Sequence, residues 1–352
     1  MAPAVQLIKC LDGTKVECKE AVSPPSQNHW LWTVPCVQYL VRDQRDLPLA
    51  MLTVNAALIL MPFAAMVWIS KSHMLGAMYN IVLLVGFFGR FMSMLHEFVH
   101  VRLFRSRLFG FVFVTCILGA LHGVPFGTYH IHHALMHHHG GNRWGIDLSS
   151  TERYDRTSIF HLVLYWLRHY TPPGIVYDMI ATCMRYRRYR MGIAYAFATI
   201  SWFGLMVKDG GCTPGILWTM IVPTFLSGVA GAWAGWAQHL FLTPHAPRKW
   251  YSFEIINSIA NTHHFNAGFH ATHHDDASVH WTEMPQAFIR NLDRYRDAGI
   301  FIFQGIDNPT VLWWVLRGRF DILAEHLVGF EKLTRSEAIA RMRAQLQPLI
   351  LR

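Results

Sequence analysis

"LAMLTVNAALILMPFAAMVWISKSHMLGAMYNIVLLVGFFG", residues 49 to 89, carries a single charged side chain, Lys71. A helix needs about 20 apolar residues to cross the hydrocarbon core of a bilayer. Residues 49 to 70 meet that length without a charge. Residues 74 to 89 are also uncharged, and the apolar pattern continues past Arg90 to Leu95. Only "KSH" separates the two, so the stretch reads as a transmembrane helical hairpin. "MGIAYAFATISWFGLMV" (191 to 207) and "GILWTMIVPTFLSGVAGAWAGWA" (215 to 237) repeat the arrangement around "KDGGCTP".

The composition agrees. Of 352 residues, 52% are hydrophobic and 15% charged, and the mean hydropathy is +0.21. Soluble domains carry about a quarter charged residues. The net charge of +9 suits cytosolic loops that face anionic lipid, an acidic redox partner or a phosphate-bearing substrate. The basic residues flank apolar spans and form no separate basic domain, which argues against a nucleic-acid binder. Six scattered cysteines contain no C-x-x-C pair and read as small packing residues, not a disulfide framework or zinc knuckle. The first 48 residues show no cleavable signal pattern.

Positive charge orients the hairpins. Arg102, Arg105 and Arg107 follow the first, and Arg185, Arg187, Arg188 and Arg190 precede the second. The short turns hold one lysine each, Lys71 and Lys208. Both termini are therefore expected in the cytosol and both short turns across the membrane. A fifth run, "LFGFVFVTCILGALHGVPFGT" (108 to 128), is uncharged and interrupted by Gly110, Gly119, Gly123 and Pro125. It reads as re-entrant or interfacial. "IFHLVLYWLRHY" (159 to 170) is amphipathic and suits a helix lying in the interface. Near the end, Asn308 is the expected N-cap with Pro309 at the first helical position, and Thr334 with Glu337 forms an expected capping box. The fold class is thus an all-α integral membrane protein. It has two transmembrane hairpins, a re-entrant or interfacial helix and a cytosolic helical cap. The expected organisation is a cytosolic segment 1–48, a membrane part 49–285, and C-terminal helices 286–352 belonging to the same domain.

The chain has 22 histidines, many in three tight clusters: "HEFVH" (96 to 100), "HALMHHHGG" (133 to 141) and "FHATHH" (269 to 274). On a helix, residues three or four apart share a face. His96 and His100, His133 and His137, and His270 and His274 are such pairs, with His138 and His273 beside them. His239 ends the fourth span in "WAQHLF". All four sets fall at cytosolic ends in the charge-derived topology. Imidazole suits iron, zinc, copper and nickel. One zinc needs three or four ligands. Nine imidazoles are too many for one ion and fit two metals. The glycines of "HHHGGN" read as a turn after a helix.

In their order, spacing and placement at membrane ends, these boxes resemble those of the integral-membrane fatty acid desaturase and alkane hydroxylase superfamily. The likeness covers roughly residues 50 to 285. "FNAGFHATHHDDASVHWTEMP" and "WAQHLFLTP" are similar to the third-box region of fatty acid desaturases. The resemblance implies a cytosol-facing non-haem di-iron centre that activates O2 on an acyl or alkyl chain. Carried over by position, its ligands are His96, His100, His133, His137, His138, His239, His270, His273 and His274. It also implies a lipid or acyl substrate and two external electrons per turnover. No flavin loop, cytochrome b5 segment or ferredoxin cysteine set is visible, so a separate donor of cytochrome b5 or ferredoxin type is expected. The membrane would be the endoplasmic reticulum in a eukaryote or the inner membrane in a bacterium.

Other histidines are in surplus: His122, His130, His132, His139, His263, His264 and His280 read as hydrogen-bonding support, with His130 and His263 able to share a box face. His161, His169 and His245 read as interface or loop residues. Glu97, Asp147, Glu152, Asp275 and Asp276 are placed to accept a ligand's N–H, and none is taken as a ligand. Asp147 is equally placed to cap a helix. Hydroxylation uses the same ligand pattern as desaturation. A zinc hydrolase or metal transporter stands as the alternative of another class.

Overall fold

A computed structural model describes residues 7–18, 30–124, 126–171, 173–244, 246–247 and 250–349. Pro125, His245 and much of the N-terminal segment lie outside the described residues. Four helices are long and apolar enough to cross a membrane: Gln44–Ser70, His73–Phe98, Tyr189–Gly211 and Pro214–Gln238. They coincide with the four stretches marked by hydropathy. The run from Arg107 to Leu121 is a shorter apolar helix. At 1.5 Å per residue it reaches ~22 Å, short of the ~30 Å hydrocarbon core. The chain is mostly helical, and several stretches are wound wider, as π-helix. One of these, His130–His137, carries much of the second histidine box.

The first two spans are punctuated by local chemistry. Lys71 ends one helix in the left-handed conformation (φ 52°), and the Ser72 side chain accepts from the Leu75 N–H to start the next. The described chain divides into two compact units. One draws on residues 24–136 and 170–231 and contains most of the apolar spans. Within it the Trp68 indole donates to Thr219 Oγ1 (2.9 Å), and the Asn80 amide donates to the Trp218 carbonyl (2.8 Å). The Tyr79 hydroxyl donates to the Leu121 carbonyl (3.1 Å), tying the second span to the end of the short helix.

The other unit draws on residues 1–23, 137–169 and 232–352. Here the structure departs from the all-α expectation. Strand Glu254–Ile256 pairs in parallel with Ile302–Gln304, which pairs antiparallel with Leu327–Val328. Leu7–Lys9 and Lys15–Glu17 form a small antiparallel hairpin. Strands of two or three residues are too short to show a two-residue period. They survive because they pack: Ile8, Ile256, Ile302 and Val328 join Phe269, Phe288 and Leu292 in one buried cluster. The cap expected at Asn308 moves to Asp307, whose carboxylate accepts from Thr310 N–H (2.8 Å). The capping box of Thr334 and Glu337 is present.

Candidate metal centre

The third box lies on the short helix His270–Asp275. No side chain caps that helix from the residue before it. Glu254, on the neighbouring strand, does so instead: its Oε1 accepts from Thr272 N–H (2.7 Å) and Thr272 Oγ1–H (2.8 Å). His270 and His274, four residues apart, share one face of this helix. His239 follows directly on helix Val222–Gln238. Its Nδ1–H donates to the Tyr251 carbonyl (2.5 Å). His137 Nδ1–H donates to Asp147 Oδ2 (2.7 Å). Asp147 is itself held by the backbone N–H groups of Asn142 (3.0 Å) and Ser149 (2.9 Å) and by the Ser149 hydroxyl (2.8 Å).

These Nδ1 bonds put the ring proton on Nδ1 of His137 and His239 and leave Nε2 unprotonated. Those Nε2 atoms point into one place. His137 Nε2 lies 3.1 Å from His274 Nε2, His274 Nε2 lies 3.2 Å from His270 Nε2, and His270 Nε2 lies 3.2 Å from His239 Nε2. All four residues are buried, with ligand atoms within 4.8 Å of one another. Imidazole nitrogens about 2.0–2.1 Å from a shared transition-metal ion sit ~3 Å apart, so the spacing fits a metal's coordination shell. Burial holds the His274 pKa well below the ordinary histidine value, and the neighbouring histidines push it the same way. The imidazole is therefore kept neutral, which is the ligating form.

The same unit places His138 Nε2 3.1 Å from His273 Nε2, with the His138 ring stacked on His274. The membrane-span unit gathers His96, His100 and His133. Ring centroids are 4.4 Å apart for His96 and His133, 5.0 Å for His100 and His133, and 5.9 Å for His96 and His100. His96 Nδ1 lies 3.2 Å from Glu97 Oε1. The boxes are thus not subsites. The second divides between His133, grouped with the first box, and His137 with His138. The third divides between His270 with His274 and, one helical step off their face, His273.

Of the carboxylates singled out from sequence, Asp147 and Glu97 meet box histidines. Glu152 accepts from Trp144 N–H (2.9 Å), Asp275 from the Trp250 indole (2.9 Å), and Asp276 from Ser278 N–H (2.9 Å). Asp147 caps no helix: it closes a turn region between Gly140 and Ser149. Gly141, at φ 55°, ends the second-box helix, as "HHHGGN" suggested. Among the surplus histidines, His122 is buried, stacks on Phe91 and bonds the Leu118 carbonyl. His280 is buried and caps the turn at Trp281, while His139 and His263 are exposed. Ser149, Tyr251 and Glu254 were not marked in the sequence. Glu254 alone left a signal there, as a lone carboxylate within the apolar "FEII".

The family model described as fatty acid desaturase matches residues 72–305. No curated protein and no solved structure matches the chain.

Proposed function

The chain belongs to the fatty acid desaturase family, and on that premise we propose that it is a membrane-bound, O2-dependent oxidoreductase that introduces a double bond into a fatty acyl or similar lipid chain. The observation that carries this reading is the buried group of four imidazoles, His137, His239, His270 and His274, inside the family match. One iron would be held there. The resemblance implies the remaining box histidines, His96, His100, His133, His138 and His273, as ligands of the second. When bound, the two irons would supply O2 activation and the oxidising power to take hydrogen from an unactivated C–H bond. The balanced reaction converts –CH2–CH2– with O2, two electrons and two protons to –CH=CH– and two waters. A separate donor protein of cytochrome b5 or ferredoxin type delivers the electrons, and the basic residues around Arg102–Arg107 and Arg185–Arg190 suit such a partner or an anionic lipid surface.

The protein's own share is positioning and exclusion of water. Asp147 and the Tyr251 carbonyl hold two imidazoles in one tautomer and orientation. Glu254 holds the third-box helix. We place the site on the cytosolic face, in the endoplasmic reticulum of a eukaryote or the inner membrane of a bacterium.

The test is iron analysis followed by turnover. Protein from iron-replete cells should hold two irons per chain. With an electron donor, O2 and a set of acyl chains, it should yield an alkene and leave the oxygen in water. One zinc and negligible iron sinks the di-iron reading. Labelled oxygen appearing mainly in an alcohol assigns the chain to hydroxylation.

A further inference from the structure

Among the nine candidate ligands His239 alone stands outside the three boxes, and it lies just beyond its helix. Residues 239 to 242 belong to no helix or strand. Their geometry depends on what grips the backbone. Thr151 Oγ1 donates to the His239 carbonyl (2.7 Å). The Leu240 carbonyl accepts from Arg156 Nε (2.7 Å), and Leu242 N–H donates to the Gln345 carbonyl (3.1 Å).

Arg156 is fully buried. Each of its five N–H groups has a backbone carbonyl. Besides Leu240, Nη1 serves Thr151 (2.7 Å) and Tyr154 (3.0 Å). Nη2 serves Gln345 (3.1 Å) and Gln347. One guanidinium thereby joins the loop behind the second box, the segment carrying His239, and the C-terminal end. The C-terminal end returns bonds to the same loop: Arg156 N–H donates to the Leu346 carbonyl (3.0 Å), and Leu349 N–H to the Glu152 carbonyl (2.8 Å). Burying a cation is costly. Desolvation brings the Arg156 pKa down to about 9, which leaves it charged at neutral pH. Structural packing alone does not call for a charge at this position. A planar fork with five donors reaches carbonyls on three chain segments at once, and a lysine has only three donors.

We infer that Arg156 is a positioning residue for His239, and that the C-terminal segment Gln345–Leu349 is the other half of the same clamp. The inference rests on the reading of His239 as a metal ligand. It extends the device that holds the metal to a stretch about seventy residues beyond the last histidine box.

Three proteins test it: Arg156→Lys, Arg156→Met, and a chain ending at Ala344. Two measurements are made on each in detergent. One is amide hydrogen exchange over residues 239–242, with helix Tyr189–Gly211 and strand Ile302–Gln304 as internal references. The other is cobalt(II) titration, read from the ligand-field absorption of the bound ion. In the Met variant and the shortened chain, exchange at Leu242 should rise tenfold or more while the references stay unchanged. The cobalt dissociation constant should rise at least tenfold, with an altered absorption band. The Lys variant should fall between these and the native protein. Native exchange and cobalt binding in both the Lys variant and the shortened chain would overturn the inference. So would a rise shared equally by the reference segments, because that is general loosening. If the native protein takes up no cobalt or iron, the metal reading fails, and unequal exchange still shows the clamp.

Discussion

Asp147 illustrates how a carboxylate acts at this site without being counted as a ligand. It accepts a hydrogen bond from His137 Nδ1–H and is fixed by Asn142 and Ser149. Asp147→Asn keeps the shape and removes the charge, so metal should be retained 10- to 100-fold less tightly. Iron remaining after dialysis against a chelator measures this. His137→Ala should abolish turnover while membrane insertion persists. Glu254 gives a different prediction. It is fully buried, and desolvation raises its pKa from 4.5 to about 8 against the lowering effect of the Thr272 bonds. A carboxyl with a raised folded-state pKa favours the folded chain in its neutral form. Its contribution is complete below pH ~4.5 and is lost as pH rises through about 8. Glu254→Gln keeps an acceptor for Thr272 and cannot ionise. Melting temperatures between pH 5 and pH 9 should fall less steeply for this variant than for the native chain. Asp147 was legible in the sequence because it trails a histidine box. Tyr251 was not, because what it offers is a backbone carbonyl, and every residue has one.

Elements were legible in proportion to their length. The four spans and the capping box at Thr334 follow from composition and local spacing. The sheet Glu254–Ile256, Ile302–Gln304 and Leu327–Val328 does not, because its pairings join segments far apart in the chain. Nor does the division of the boxes. Spacing says that His270 and His274 share a face, but which partner waits there is tertiary information. The tip after the short apolar helix shows how tightly such elements are fitted. Gly123 has φ +76°, and a Cβ there would come within 2.3 Å of the Pro223 carbonyl carbon and oxygen. The obstacle is backbone in the fourth span, which has no rotamer to change. The neighbouring His122 carbonyl accepts from the Ser227 hydroxyl of that span, so the tip cannot easily retreat. Gly123→Ala should cost ~2 kcal/mol or more, combining positive-φ strain with overpacking. A thermal-shift measurement should show a clearly lowered melting temperature. Gly86, where an added Cβ meets nothing within 4 Å, is the control, and its alanine variant should melt like the native chain.

At the scale of the whole molecule, the proposed membrane orientation rests on charge and length, and two native cysteines test it. Arg102, Arg105, Arg107 and the arginines at 185–190 lie at one set of span ends, and Lys71 and Lys208 lie in the short turns at the other. On the positive-inside rule we propose that the arginine ends face the cytosol. The helix Arg107–Leu121 is shorter than a typical crossing helix, and on the proposed topology the chain between the second and third spans should return to the face it left. The proposed shared centre requires that condition of "HEFVH" and "HALMHHH". A complete fifth crossing would put them on opposite faces of the bilayer. Cys36, ahead of the first span, and Cys212, in the turn before the fourth, are both exposed. A membrane-impermeant maleimide applied from outside the cytosol should label Cys212 and spare Cys36. Arg143 is also exposed and stands between the second and third boxes. A thiol introduced by Arg143→Cys should be protected together with Cys36 and become reactive only after the membrane is opened. Labelling of the Arg143→Cys thiol from the same side as Cys212 would mean that residues 107 to 128 cross the bilayer, and the nine histidines could not then hold a common pair of irons.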